Sequence, residues 1–144
     1  MTNYDKHIDP WIDLVESGRI RSCKEQKALI KLVRRVLDSG EVYIDHEQAD
    51  DYFGLCEYFP YKYIFEWQQF FLTLHLCVYR KSDGMPRWPD AMALIARGAG
   101  KDGTIALESM MLSSPYNTAD TNYDVDICAN NQEQAMRPFL DLWE

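Results

Sequence analysis

The chain predicts an α/β protein: a helical N-terminal region followed by the start of a parallel sheet. Three observations carry that prediction. The first half is a series of helix-length amphipathic stretches with capping residues at their starts. A short apolar run, Ala91 to Ala96, follows Pro89 and leads into a glycine-rich turn, and its length and flanks suit a buried strand. The order from there is strand, glycine turn, helix, strand, helix, which is a parallel α/β unit. At 144 residues and 47% hydrophobic content, the chain fits one ordinary domain with a real core.

The elements follow in order. Asp9 is placed to cap a short helix with Pro10 in its first turn, where a missing N–H costs nothing. Gly18 stops it. Ser22 caps a second helix, with Glu25 as its capping-box partner, which runs to about Asp38 with Gly40 beyond. Leu29, Val33, Val36 and Leu37 share one face of this helix, and Lys24, Lys27, Lys31, Arg34 and Arg35 take the other. Asp45 caps a third helix to about Glu57. A fourth, about Ile64 to Tyr79, is apolar nearly all round, which predicts burial. Ser82 to Pro86 is turn chemistry. Thr104 to Ser114 is a helix ended by Pro115. Asp124 to Ala129 alternates in a strand pattern, and Asn130 or Asn131 caps a last helix with Glu133 or Gln134 in the box position.

Composition narrows the functions. A net charge of −8 argues against a surface covered in nucleic-acid-binding charge but leaves room for a local basic patch. Such a patch exists: residues 19 to 35 hold seven of the fifteen Lys and Arg against one acid, Glu25. It is either the solvated side of an amphipathic helix or a contact for DNA phosphates. Four cysteines without a C-x-x-C spacing and three scattered histidines speak against a zinc site or disulfide framework and for reduced thiols. The polar N-terminus has no signal-peptide pattern, and no apolar stretch approaches the roughly 20 residues a membrane span needs. These features predict a cytoplasmic protein that does not engage a membrane.

Chemistry concentrates in Ala96-Arg97-Gly98-Ala99-Gly100-Lys101-Asp102-Gly103. Between a strand and a helix, glycines let successive N–H groups curl around an anion. The helix that follows points its positive end at the same anion, and Lys101 adds a mobile charge. The usual phosphate-loop pattern wants Gly at 95 and Ser or Thr at 102, where this chain has Ile95 and Asp102.

The string Ala96-Arg97-Gly98-Ala99-Gly100-Lys101 resembles the degenerate phosphate loop of bacteriophage large terminase subunits, the DNA-packaging motors of tailed phages. Ile95 to Asn117 and Tyr123 to Phe139 are similar to that family's segments around and after the loop. Glu66-Trp67-Gln68 resembles its adenine motif. The resemblance implies a helical region over residues 1–85 carrying the adenine motif, and the first part of a P-loop NTPase core over 86–144. It implies ATP as ligand, with Gln68 on the adenine and with Arg97, Gly98, Ala99, Gly100, Lys101, Asp102 and Gly103 around the phosphates. Arg97 and Lys101 take the catalytic roles. A carboxylate is a hard oxygen donor, so Asp102 is the expected Mg²⁺ ligand.

For a full-length protein the family further implies double-stranded DNA, a portal, a small terminase subunit and a bacterial host cell. The family's Walker B Asp, catalytic Glu and nuclease domain have no counterpart here. That leaves enzymatic status open and suggests a segment of a larger motor. The alternative is a truncated, non-hydrolysing nucleotide-binding or interaction module.

Overall fold

A computed structural model describes residues 3–117 and 123–143. The chain divides into two compact units: Met1–Ala49 with Phe65–Ala91, and Asp50–Ile64 with Met92–Glu144.

The first unit holds α1 (Asp9–Glu16), α2 (Lys24–Leu37), β1 (Val42–Ile44), the start of α3 (His46–Gly54), α4 (Glu66–Leu76) and β2 (Val78–Arg80). Helix α1 begins one residue after Ile8, with Pro10 in its first turn. The Asp9 carboxylate turns back to accept the N–H groups of Tyr4 and Asp5 at 2.9 and 3.1 Å. At α2 the capping position falls to Cys23, and the Gln26 side chain accepts the Cys23 N–H at 2.9 Å, in place of Ser22 and Glu25. Asp45 caps α3 as its position predicts, its carboxylate accepting the Gln48 N–H at 2.9 Å.

One face each of α1, α2 and α4 closes on a common core. Ile8, Ile12 and Val15 meet Ile30 and Val33 of α2, Phe70 and Leu74 of α4, and Val42 and Val78 of the strands. Helix α4 is buried through Phe70, Leu72, Leu74 and Leu76, as its apolar composition demands. It ends at Leu76, short of Tyr79, and the chain passes through Cys77 into β2. Strands β1 and β2 pair antiparallel with Tyr43 opposite Tyr79 and Ile44 opposite Val78, and the two tyrosine rings stack at 5.6 Å. Buried Asp5 ties the N-terminal segment to α3: it accepts the His7 N–H at 2.7 Å and faces His46 Nδ1 at 2.5 Å.

The second unit holds the end of α3, a 3-10 turn at Leu55–Tyr58, α5 (Lys101–Ser113) and α6 (Gln132–Trp143). Ala106, Leu107 and Met111 of α5 are fully buried, and Tyr52, Phe59 and Ile64 are buried too. Thr104 and Ser109, also buried, return their hydroxyls to the carbonyls four residues back, at 2.9 and 2.8 Å, the local bond that lets a helix bury such side chains. Asn131 caps α6 by accepting the Gln134 N–H at 2.9 Å.

The α/β expectation is corrected here. Among the described residues the sheet has two strands, β1 and β2, and they run antiparallel. Ala91–Ala96 and Asp124–Ala129 belong to no strand and have no regular secondary structure. The reason lies in burial. A central parallel strand is covered on both faces, whereas Met92 is 87% and Leu94 94% exposed. The short apolar run has the composition of a buried strand without neighbours to pair with. A helix after the glycine turn does form, yet no parallel sheet presents that turn.

Candidate nucleic-acid interface

Helix α2 carries the most concentrated charge of the molecule. Ile30 and Val33 lock one face into the core, each 1% exposed, with Val36 and Leu37 packed beside them. Leu29, expected on this face, is 46% exposed along with Leu32; Ile30 takes its place, being three residues from Val33 and seven from Leu37. The burial of that face fixes the direction of the opposite one. Lys24, Lys27, Lys31 and Arg35 follow one another at spacings of three and four residues, so they form a single stripe. At 1.5 Å per residue the row extends about 16 Å. All four are exposed, as are Arg19 and Arg21 just upstream.

Most of this charge is uncompensated. Among the described residues Lys27, Lys31 and Arg35 have no carboxylate within ion-pair distance. Lys24 approaches Glu25 at 3.7 Å, but both side chains are largely in solvent and such a pair is worth little. Arg34 behaves differently. Its guanidinium grips Glu16 through two bonds of 2.9 and 2.8 Å and lies over the Tyr4 ring, so it staples α2 to α1. The hydrogen bonds from Arg34 hold the Glu16 carboxyl below its usual range, and Glu16 in turn raises the guanidinium. With Glu16 so occupied, Lys27 and Lys31 line a shallow depression of about 250 Å³ between α1 and α2, beside Gly18, Val15, Ile30 and Glu16 itself. A larger hollow in the same unit, about 450 Å³, sets Lys6 and Arg19 against Asp9, Asp13 and Glu66, so acids outnumber bases there and it does not suit an anion.

The residues expected to hold ATP fall into both units. Gln68 lies in the first, 5% exposed, and its Oε1 accepts the Phe65 N–H at 2.8 Å at the head of α4. Trp67 beside it is half-buried. Arg97 to Gly103 lie in the second unit. Gly98 and Gly100 have φ of 79° and 89°, so the turn requires glycine at both, and Gly100 precedes the first residue of α5. Arg97, Gly98, Ala99 and Lys101 are exposed, and Asp102 and Gly103 are half-exposed. Lys101 forms an ion pair with its neighbour Asp102. Among the described residues no three His, Cys, Asp or Glu side chains gather to hold a metal.

Compared with known proteins, the chain matches no family model, no curated protein and no solved structure. The resemblance to large terminases is corrected by the fold, in which helices and a two-stranded antiparallel sheet stand where a P-loop core would have a parallel one. So are the ATP-binding, phosphate-loop and Walker A readings and the nucleotide-module alternative that depended on it. A phosphate loop works because a sheet edge holds its backbone amides rigid and aimed; here the segment before the loop is exposed chain. No helix among the described residues is long and apolar enough to cross a membrane.

Proposed function

We propose that the first unit is a non-catalytic module that binds the phosphate backbone of duplex nucleic acid, without sequence preference, through α2. The observation that carries this reading is the stripe of Lys24, Lys27, Lys31 and Arg35, held outward because Ile30 and Val33 anchor the other face. A row of fixed cations displaces condensed counterions from a polyanion, and that release drives binding. Two features select the partner. Ile30 and Val33 of α2 are spent on the core and only Leu29 and Leu32 remain outside, which is less than the broad apolar face that membrane-binding amphipathic helices lay into a lipid surface. No aromatic residue occurs in α2, so the stripe lacks the stacking platform that holds single strands. Phosphate contacts position a protein but carry no sequence information, and no base-reading element accompanies them. The four unbridged cysteines suit a reducing, cytoplasmic setting.

The test is fluorescence anisotropy with a labelled DNA duplex across a salt series. Four phosphate contacts give a slope of log K against log salt of about −3 to −4. The quadruple variant K24E/K27E/K31E/R35E lies wholly on the solvent side, so the fold is retained while binding is lost. Equal affinity of the variant and the wild type defeats the reading.

A further inference from the structure

The second unit contains a groove of about 400 Å³ between α5 and residues 123–128. Ile105, Leu112, Val125 and Ile127 give it an apolar floor, and Asp124 and Asp126 stand exposed on its rim. The unit around it is strongly acidic, with eleven Asp and Glu against four Lys and Arg. A ligand suited to this groove presents aliphatic side chains flanked by cations.

Helix α2 is such a surface. Leu29 and Leu32, one turn apart, are each 46% exposed, and Lys31 and Arg35 border Leu32 on the side of the basic stripe. We infer that the groove takes α2 of a second copy of this chain, with Leu29 and Leu32 on the apolar floor and Lys31 and Arg35 against Asp124 and Asp126. The complementarity of sign gives the pairing its orientation. Two different patches meet, so the contact is heterologous. The contact is small, which makes it weak and reversible. It uses the same helix as the proposed nucleic-acid contact, so a duplex bound to α2 displaces the second copy.

Sedimentation velocity of the full chain over a concentration series tests this, first without nucleic acid. The expected result is concentration-dependent self-association that weakens as salt rises, because screening shortens the reach of exposed charges. D124K/D126K weakens it at least about tenfold, the loss of a close charge pair. Combining D124K/D126K with K31E/R35E restores it, which a misfolded variant cannot do. A chain that stays monomeric at all concentrations overturns the inference, as does self-association indifferent to D124K/D126K. The same D124K/D126K variant keeps its duplex affinity if the phosphate-backbone reading holds, so the two failures are told apart by separate measurements.

Discussion

The first unit buries fourteen apolar residues and leaves five large ones exposed, whereas the second buries six and leaves eleven exposed, among the described residues. Charge divides as unevenly. The first unit holds eleven basic and twelve acidic residues, the second four and eleven. One unit is therefore a core with a hydrogen-bonded periphery, nearly neutral overall, with five of its eleven basic residues on α2. The other is a helical pair in an acidic and apolar surface. Apolar area removed from water contributes about 25 cal/mol per Å², so the first unit has the larger hydrophobic contribution to its stability. Concentrated basic charge and most of the exposed apolar side chains thus lie in separate parts of this chain.

Opening each core separately tests whether the two units stand on their own. Phe70→Ala removes a ring from the core cluster that helices and strands of the first unit share and is expected to cost about 3–5 kcal/mol. Leu107→Ala does the same in the second, at about 2–5 kcal/mol. Native cysteines report which unit has yielded. Burial pushes the Cys77 thiol of the first unit far up and the Cys56 thiol of the second up to about 11, whereas Cys23 and Cys128 are exposed. In a thiol-labelling time course, Phe70→Ala speeds the modification of Cys77 and Leu107→Ala that of Cys56. If either change accelerates both thiols equally, the units unfold as one and the division is only geometric.

A smaller effect comes from backbone conformation at the start of α5. Gly100 has a left-handed φ of 89°, where a Cβ costs about 1–2 kcal/mol. Gly100→Ala is expected to destabilise the second unit by that amount in chemical denaturation followed at Cys56, with Cys77 unaffected. Removing the α6 cap by Asn131→Ala is worth about 1 kcal/mol, read as lost helicity in the same unit. Neither change belongs to the first unit, so a shift in Cys77 protection would contradict the independence of the two.

What was legible in the sequence was local. Asp45 and Asn131 cap the helices they were expected to cap, because an N-cap bond spans only two or three residues. The apolar composition of α4 announces its burial, and the two-sided pattern of α2 announces its basic face. Strands were not legible. Three residues at Val42–Ile44 and three at Val78–Arg80 are too few to show a period of two, and their pairing links positions more than thirty residues apart. Val78 and Tyr79 read as the end of a helix because they continue its apolar run. Ala91–Ala96 read as a strand for the converse reason: composition reports a liking for burial, and a strand exists only if a neighbour supplies hydrogen bonds. The glycine loop misled in the same way. Gly98 and Gly100 report a left-handed turn before a helix, and that turn is present, but a phosphate site also needs a sheet behind it. Of the candidate interface, the cations were visible and the exposed Leu29 was not, since only the choice of Ile30 as the buried residue turns Leu29 outward.

The smallest effect expected is also the most specific to the first unit, and it depends on pH. Arg34 donates two hydrogen bonds to Glu16, and these lower the Glu16 carboxyl below its ordinary value of 4.5. A carboxyl whose folded value lies below its unfolded one stabilises the fold at any pH above the unfolded value. That contribution disappears as pH falls through the folded one, since the unfolded chain binds the proton first. Both side chains are partly in solvent, so screening limits the contribution to at most about 1 kcal/mol. Glu16→Gln should therefore lower the stability of the first unit at pH 7, read from the exposure of Cys77 in denaturant. The gap to wild type should close as pH falls below the lowered Glu16 value, where both chains carry a neutral side chain at this position. Lys24, paired with Glu25 at 3.7 Å in open solvent, provides the control: Glu25→Gln is expected to change stability by a few tenths of a kcal/mol or less. A gap between wild type and Glu16→Gln that persists unchanged at pH 3 would show that residue 16 acts through packing. The staple between α1 and α2 would then not be an ionic one.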